Sequence, residues 1–255
     1  MSLMGGAGAL LAGCGSEAKN RITGTERDGG LGGGNAPIDA SAAVESGIAP
    51  DGGGLCIVRP QQTEGPYFVD EMLQRADIRS DPATGSVKDG ALLKLTFHVH
   101  RSSGSACMPL AAALVDVWQC DASGVYSDVL DANGLFDTRG TKALRGYLLT
   151  DAAGIASFTT IYPGWYAGRT VHVHFKVRTP VDGGPAFAFT SQLYFDDALT
   201  DKVMAQPPYN AKGARSTRNT GDSIFLAGGD QLVLQCTPDG GGAYAADFRI
   251  GVQTP

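Results

Sequence analysis

The sequence predicts an all-β fold, an antiparallel β-sandwich with long loops and little helix, and three observations carry that expectation. Short segments alternate apolar and polar residues with a period of two, as in Leu93, Leu95, Phe97 and Val99 against Lys94, Thr96, His98 and His100. Most of these segments are bounded by Gly, Pro, Asn or Asp, the residues that turn a chain between strands. At 255 residues and 43% hydrophobic content the chain can bury one good core, and Gly-rich stretches near its start reduce the folded part to about 200 residues.

Three regions follow in order. Residues 1–14 read as a truncated lipoprotein signal: the apolar run Met4 to Ala12 leads into Leu11-Ala-Gly-Cys14, which resembles a lipobox, without the basic residues expected before it. Residues 15–55 are rich in Gly, Ala, Ser, Asp and Pro, and such a stretch buries too little apolar area to offset its conformational entropy, so a flexible tether is expected. Residues 56–255 form the expected folded domain.

Within that domain the turn Thr63-Glu-Gly-Pro-Tyr-Phe68 precedes Asp70 to Ile78, which reads as a short helix with Met72, Leu73 and Ala76 inward. Strands are expected from Leu92 onward, at Ala111 to Cys120, Ile155 to Ile161, Thr170 to Arg178, Ala186 to Phe195, Asp230 to Cys236 and Ala245 to Val252. The long segment Asp196 to Ser223 interrupts the series, with a helix over Leu199 to Ala205.

With Cys14 set aside as the lipidation site, Cys56, Cys107, Cys120 and Cys236 make an even set, consistent with two disulfides in an exported cell-envelope or extracellular protein. Their connectivity is open. No segment is long enough to span a membrane, so a lipid at Cys14 is the only membrane link expected. A formal charge of −6 offers no basic footprint for nucleic acid. No P-loop, Gly-x-Gly-x-x-Gly or Gly-x-Ser-x-Gly motif occurs, which leaves nucleotide and serine-hydrolase chemistry without support.

The chemistry gathers in Thr160 to Phe175. Val171, Val173 and Phe175 alternate with His172 and His174, so both histidines share the face turned away from the core. Residues i and i+2 on a strand lie roughly 6.5 to 7 Å apart at Cα, and two such imidazoles can converge on one metal through bonds of about 2.1 Å. His98-Val-His100 repeats the pattern without an accompanying tyrosine-bearing turn and reads as a solvated strand face. Around the first pair stand Tyr162, Tyr166 and the more distant Tyr126, of which Tyr162 reads as packing.

Trp118-Gln119 with Gly124 and Tyr126, then Pro163-Gly164-Trp165-Tyr166, then Arg169-Thr-Val-His172-Val-His174 together resemble the intradiol ring-cleavage dioxygenases, the family of the catechol and protocatechuate enzymes. The resemblance covers about Thr63 to the C-terminus. It implies a Greek-key sandwich and a non-haem Fe(III) held by Tyr126, Tyr166, His172 and His174, with Tyr166 released when substrate binds and a hydroxide in the fifth position. Two tyrosinates and one hydroxide balance the ferric charge, which leaves a neutral cluster that a partly buried site can hold. The implied reaction cleaves a catechol-type aromatic with O2 between its hydroxylated carbons to give a muconate-type diacid.

The resemblance further implies that Arg169 stabilises negative charge on the ring, that Gln192 faces the iron, and that Tyr67 and Trp165 line the substrate mouth. Only two residues separate Tyr166 from Arg169, where the protocatechuate enzymes carry a longer loop, so a more open mouth is expected. The competing reading is a surface-tethered binding module that keeps the metal site without turnover.

Overall fold

The computed structural model describes residues 56–103, 106–131, 133–179 and 187–253. The leader, its lipobox and the tether lie outside the described residues. The architecture is two β-sheets and little helix, as the alternation predicts. In the first sheet, β1 (Leu92–Ser103) is central. β2 (Ala106–Pro109) pairs with its last residues, and β5 (Ile155–Ile161) runs antiparallel to its first half on the same edge. β9 (Tyr244–Val252) lies on the other edge, followed by β8 (Thr237–Pro238). The second sheet has the order β4 (Arg145–Leu149), β3 (Leu114–Trp118), β6 (His172–Arg178), β7 (Ala188–Tyr194), all antiparallel.

The sheets meet through one face of each. Leu93, Leu95, Phe97 and Val99 of β1 have no exposed surface, nor do Val173, Phe175 and Val177 of β6. Phe97 and Phe175 approach to 5.4 Å between ring centroids, and Phe175 and Phe248 to 5.3 Å. Full burial of side chains of this size contributes about 1.5–3 kcal/mol each, so this aromatic layer fixes which face of β6 points inward. The same period of two turns His172 and His174 to the opposite face. That face is not left to water. Residues 60–68 cross it, with Gln62 N–H on the Thr190 carbonyl (3.0 Å) and the Gln192 amide on the Thr63 carbonyl (2.9 Å).

Four expectations change. Asp70 to Ile78 is not a helix but an extended strip between the sheets: Tyr147 N–H donates to the Leu73 carbonyl (2.8 Å) and Thr159 N–H to the Ala76 carbonyl (2.8 Å). Met72, expected inward, is 54% exposed. Asp230 to Cys236 begins as a 3₁₀ turn over Gly229–Leu232 and joins β7 only by a parallel bridge between Val233 and Tyr194. β9 pairs with β1 in parallel, because it returns across the whole domain instead of through a hairpin. Of the two expected disulfides, Cys56–Cys107 is formed, whereas Cys120 and Cys236 are free thiols, Cys120 being buried beside the Gly164 carbonyl.

The interrupting segment does hold a helix, α1 (Asp197–Met204), capped by the Asp196 carboxylate on Leu199 N–H (2.9 Å). A short second helix, α2 (Ser223–Leu226), is capped by Asp222. No helix among the described residues is long and apolar enough to cross a membrane.

Candidate metal centre

Two tyrosine-bearing turns are held together by glycines. Gly124 has φ +81°, and a Cβ there would lie 2.1 Å from the Trp165 carbonyl oxygen. A Cβ on Gly164 would lie 2.4 Å from the Ala122 carbonyl oxygen. Only residues without side chains let the two turns approach so closely. Lys212 then clamps them, its ammonium donating to the carbonyls of Ser123 (2.6 Å) and Trp165 (2.8 Å). Tyr126 and Tyr166 are thereby delivered over the outer face of β6, with ring centroids 5.9 Å apart.

Four side-chain atoms converge there. His172 Nε2 lies 3.1 Å from His174 Nε2, 3.1 Å from the Tyr166 hydroxyl and 3.4 Å from the Tyr126 hydroxyl. Two donors each about 2.1 Å from a common ion and subtending 90–110° lie about 3.0–3.4 Å apart, so the set is spaced as the ligands of one ion. Among the described residues no cluster of three or more His, Cys, Asp or Glu could hold a metal; this donor set is two imidazoles and two phenols. His172 Nδ1 donates to the Thr170 carbonyl (2.6 Å), which leaves Nε2 as a bare lone pair facing the site.

Burial sets the protonation of all four groups. Burial, followed by the charge of Arg169, depresses His172 to about 3, and burial holds His174 well below the ordinary range, so both present neutral imidazoles. Burial raises both phenols, Tyr126 further by its neighbour Tyr166. Without a cation these phenols stay protonated, and a bound trivalent ion inverts that preference.

The other expected site residues are placed as follows. Arg169 donates through Nε to the buried Asp222 carboxylate (2.9 Å) and through Nη2 to the Gln192 carbonyl. Gln192 faces the site side, paired with His174 across β6 and β7, and its carbonyl also accepts from the Tyr194 hydroxyl (3.2 Å). Its hydrogen bonds therefore hold Arg169 and the crossing strap. Tyr67 lies against Tyr126, ring centroids 4.7 Å apart, and donates to Asp131 (2.5 Å). Trp165 donates to the Gly213 carbonyl (3.2 Å) and lies under the Lys212 ammonium. Tyr162 is fully buried and bonded to Thr200 (2.7 Å), as packing requires. His98 pairs with Asp247 at 2.8 Å on the first sheet, apart from these four.

Sequence reasoning missed Asp222 and Asn219. Asp222 also accepts Thr170 N–H (2.9 Å), while Asn219 accepts the Thr170 hydroxyl (2.7 Å), so both fix the residue that orients His172. They stand about fifty positions from Thr170, in a loop with no period to mark them.

Comparison with known proteins places the chain among dioxygenases. A family model described as a dioxygenase matches residues 63–219. A chlorocatechol 1,2-dioxygenase of Pseudomonas sp. (strain P51) is 34% identical over 107 residues, a match that spans 34% of this chain and 38% of that relative's length. An intradiol ring-cleavage dioxygenase from Tetranychus urticae is similar in structure at a TM-score of 0.67 and 27% identity, covering 78% of this chain and 95% of that one. The dioxygenase domain of a carbohydrate-binding fusion from Streptomyces sp. SirexAA-E gives a TM-score of 0.52 at 27% identity, covering 78% and 100%.

Proposed function

The chain belongs to the intradiol ring-cleavage dioxygenase family, and on that premise we propose that Tyr126, Tyr166, His172 and His174 hold a non-haem Fe(III) at which a catechol is cleaved by O2 to a muconate-type diacid. The observation that carries this reading is the convergence of two phenols and two neutral imidazoles within 3.4 Å. Ferric iron, held by these four residues, would supply a Lewis acid that draws electron density from the ring of a bound catechol.

The remaining work falls to this chain's own residues. Tyr166, on a turn and only half-buried, is the ligand best placed to leave, and its phenolate oxygen would take one catechol proton. Tyr126, buried under Tyr67, stays in place. Arg169 is a fixed cation: Asp222 and Gln192 hold one edge of its guanidinium, which would stabilise charge developing on the ring. Tyr67 and Trp165 flank the two tyrosine turns and are assigned to the substrate mouth. Export and a lipid at Cys14 belong to the same proposal, supported by the Cys56–Cys107 disulfide.

Ferric reconstitution followed by an oxygen-electrode assay over a panel of catechols tests the reading. The expected result is a red-brown protein whose colour changes anaerobically with catechol and which consumes O2. Colourless, iron-free protein after reconstitution overturns it, and coloured protein without turnover leaves only the binding-module alternative.

A further inference from the structure

One row of side chains crosses the outer face of the second sheet. Gln192, His174, Trp118 and Arg145 are successive partners across β7, β6, β3 and β4. Within the row Trp118 lies flat on His174, with ring centroids 5.0 Å apart and planes 8° from parallel. The two histidines differ in how they are held. His172 is aimed by its bond to Thr170, whereas His174 Nδ1 is buried with no hydrogen-bond partner in the protein. The plane of His174 therefore depends on the indole beneath it.

Among the described residues four buried side-chain N and O atoms lack a protein partner: Glu71 Oε1, Trp118 Nε1, Arg145 Nη1 and His174 Nδ1. Glu71, Trp118 and Arg145, which carry the first three, line one cavity of about 10 Å³, roughly the space of a single water. Trp118 and Arg145 are each 2% exposed. The remaining groups are engaged: Glu71 Oε2 pairs with Lys142, the Glu71 carboxyl also lies against that of Asp128, and Arg145 Nε and Nη2 both donate to the Ser127 carbonyl. Three orphaned polar atoms on residues that line one small cavity are too costly to leave unmet, at about 1–3 kcal/mol each.

We propose that this cavity is a binding site for one structural water, which accepts from Trp118 Nε1 and Arg145 Nη1 and donates to Glu71 Oε1. The hydrogen-bond inventory selects the ligand. A halide could accept from the indole and the guanidinium but has no proton for the carboxylate, and a metal cation would meet two N–H donors. Water alone has both capacities, and three bonds is its usual number in a protein interior.

The site braces one strand and one turn that carry expected ligands, β6 with His174 and the turn with Tyr126, a role that rests on the ferric reading above. Trp118 orients His174, and Arg145 holds Ser127, the neighbour of Tyr126. The backbone bends to build it: Met72, Asp128 and Leu144, beside Glu71, Ser127 and Arg145, are three of the four non-glycine residues with positive φ among the described residues. Such conformations gather where surrounding structure imposes them. Glu71, Trp118 and Arg145 are on this view positioning residues.

A crystal structure of the metal-free full chain, with a parallel bromide soak, tests the site without reference to iron. The expected result is one density peak within hydrogen-bond distance of all three atoms and no anomalous signal there. No peak, or an anomalous peak marking a halide, overturns it. In Trp118→Phe, which keeps the ring and removes the N–H, the water should be lost and iron affinity should fall roughly ten- to hundredfold, with a shifted tyrosinate-to-iron band. Unchanged affinity and an unchanged band in a Trp118→Phe protein that has lost the water overturn the bracing role. A variant that fails to fold leaves the wild-type density to decide.

Discussion

At the residue scale the site is built from side chains whose protonation is set by burial. His172 is depressed to about 3 from an ordinary 6.5. Between those values the unfolded chain binds a proton that the native chain excludes, so stability is full above about pH 6.5 and declines as pH falls toward about 3. Every tenfold difference in proton affinity between the two states corresponds to about 1.4 kcal/mol. Thermal unfolding of the metal-free protein should therefore show a midpoint that drops between pH 7 and pH 4, and His172→Asn should flatten the profile; an identical slope in that variant removes His172 as its source. Asp222→Asn removes the charge that faces Arg169 while keeping the amide contact to Thr170, and should lower kcat about tenfold with iron content intact. Steady-state kinetics beside iron analysis checks this, and a change confined to KM would assign Asp222 to substrate binding. The four candidate ligands were legible in the sequence because each sits in a turn or strand motif. Asp222, Asn219 and Glu71 were not, since nothing local distinguishes a buried carboxylate or amide from a solvated one.

At the element scale the decisive contact is the crossing of two turns over β6. Gly124→Ala would place a methyl group 2.1 Å from the Trp165 oxygen at φ +81°, which should cost several-fold more stability than Gly168→Ala. Gly168 has a similar φ of +85° but nothing within 4 Å of the added atom, so only backbone strain of about 1 kcal/mol is expected there. Urea unfolding of the two variants, read beside iron stoichiometry, checks the difference; equal losses would mean that conformation and not contact matters at Gly124. Strands with one face in the core were readable from alternation, as β1 and β6 illustrate. The strip from Asp70 to Ile78 was misread because Met72 and Ala76 stand four apart, a helical spacing, while its hydrogen bonds go to Tyr147 and Thr159 far along the chain. β4 escaped notice because Arg145 and Gly146 break its pattern. Arg145 is buried for its hydrogen bonds and Gly146 for the close approach of Ile78.

At the scale of the whole molecule the two sheets divide the labour. The Cys56–Cys107 bond ties the first described residue to β2 across a sequence separation of 51. Cys56→Ser or reduction should destabilise the domain by about 2–4 kcal/mol while leaving the site, which lies on the other sheet, able to take up iron. Differential scanning calorimetry with and without reductant reads the first effect and metal analysis the second; loss of iron on reduction would show that the strap over the site depends on this bond. The aromatic interior and the histidine pair occupy opposite sides of the same ribbon, with only the β6 backbone between Val173 and Phe175 on one side and His172 and His174 on the other. Mutational change can therefore accumulate on either side with little penalty to the other. Heat tolerance could be bred into the interior, and preference among aromatic compounds into the opposite surface, as two separately heritable traits of one gene product.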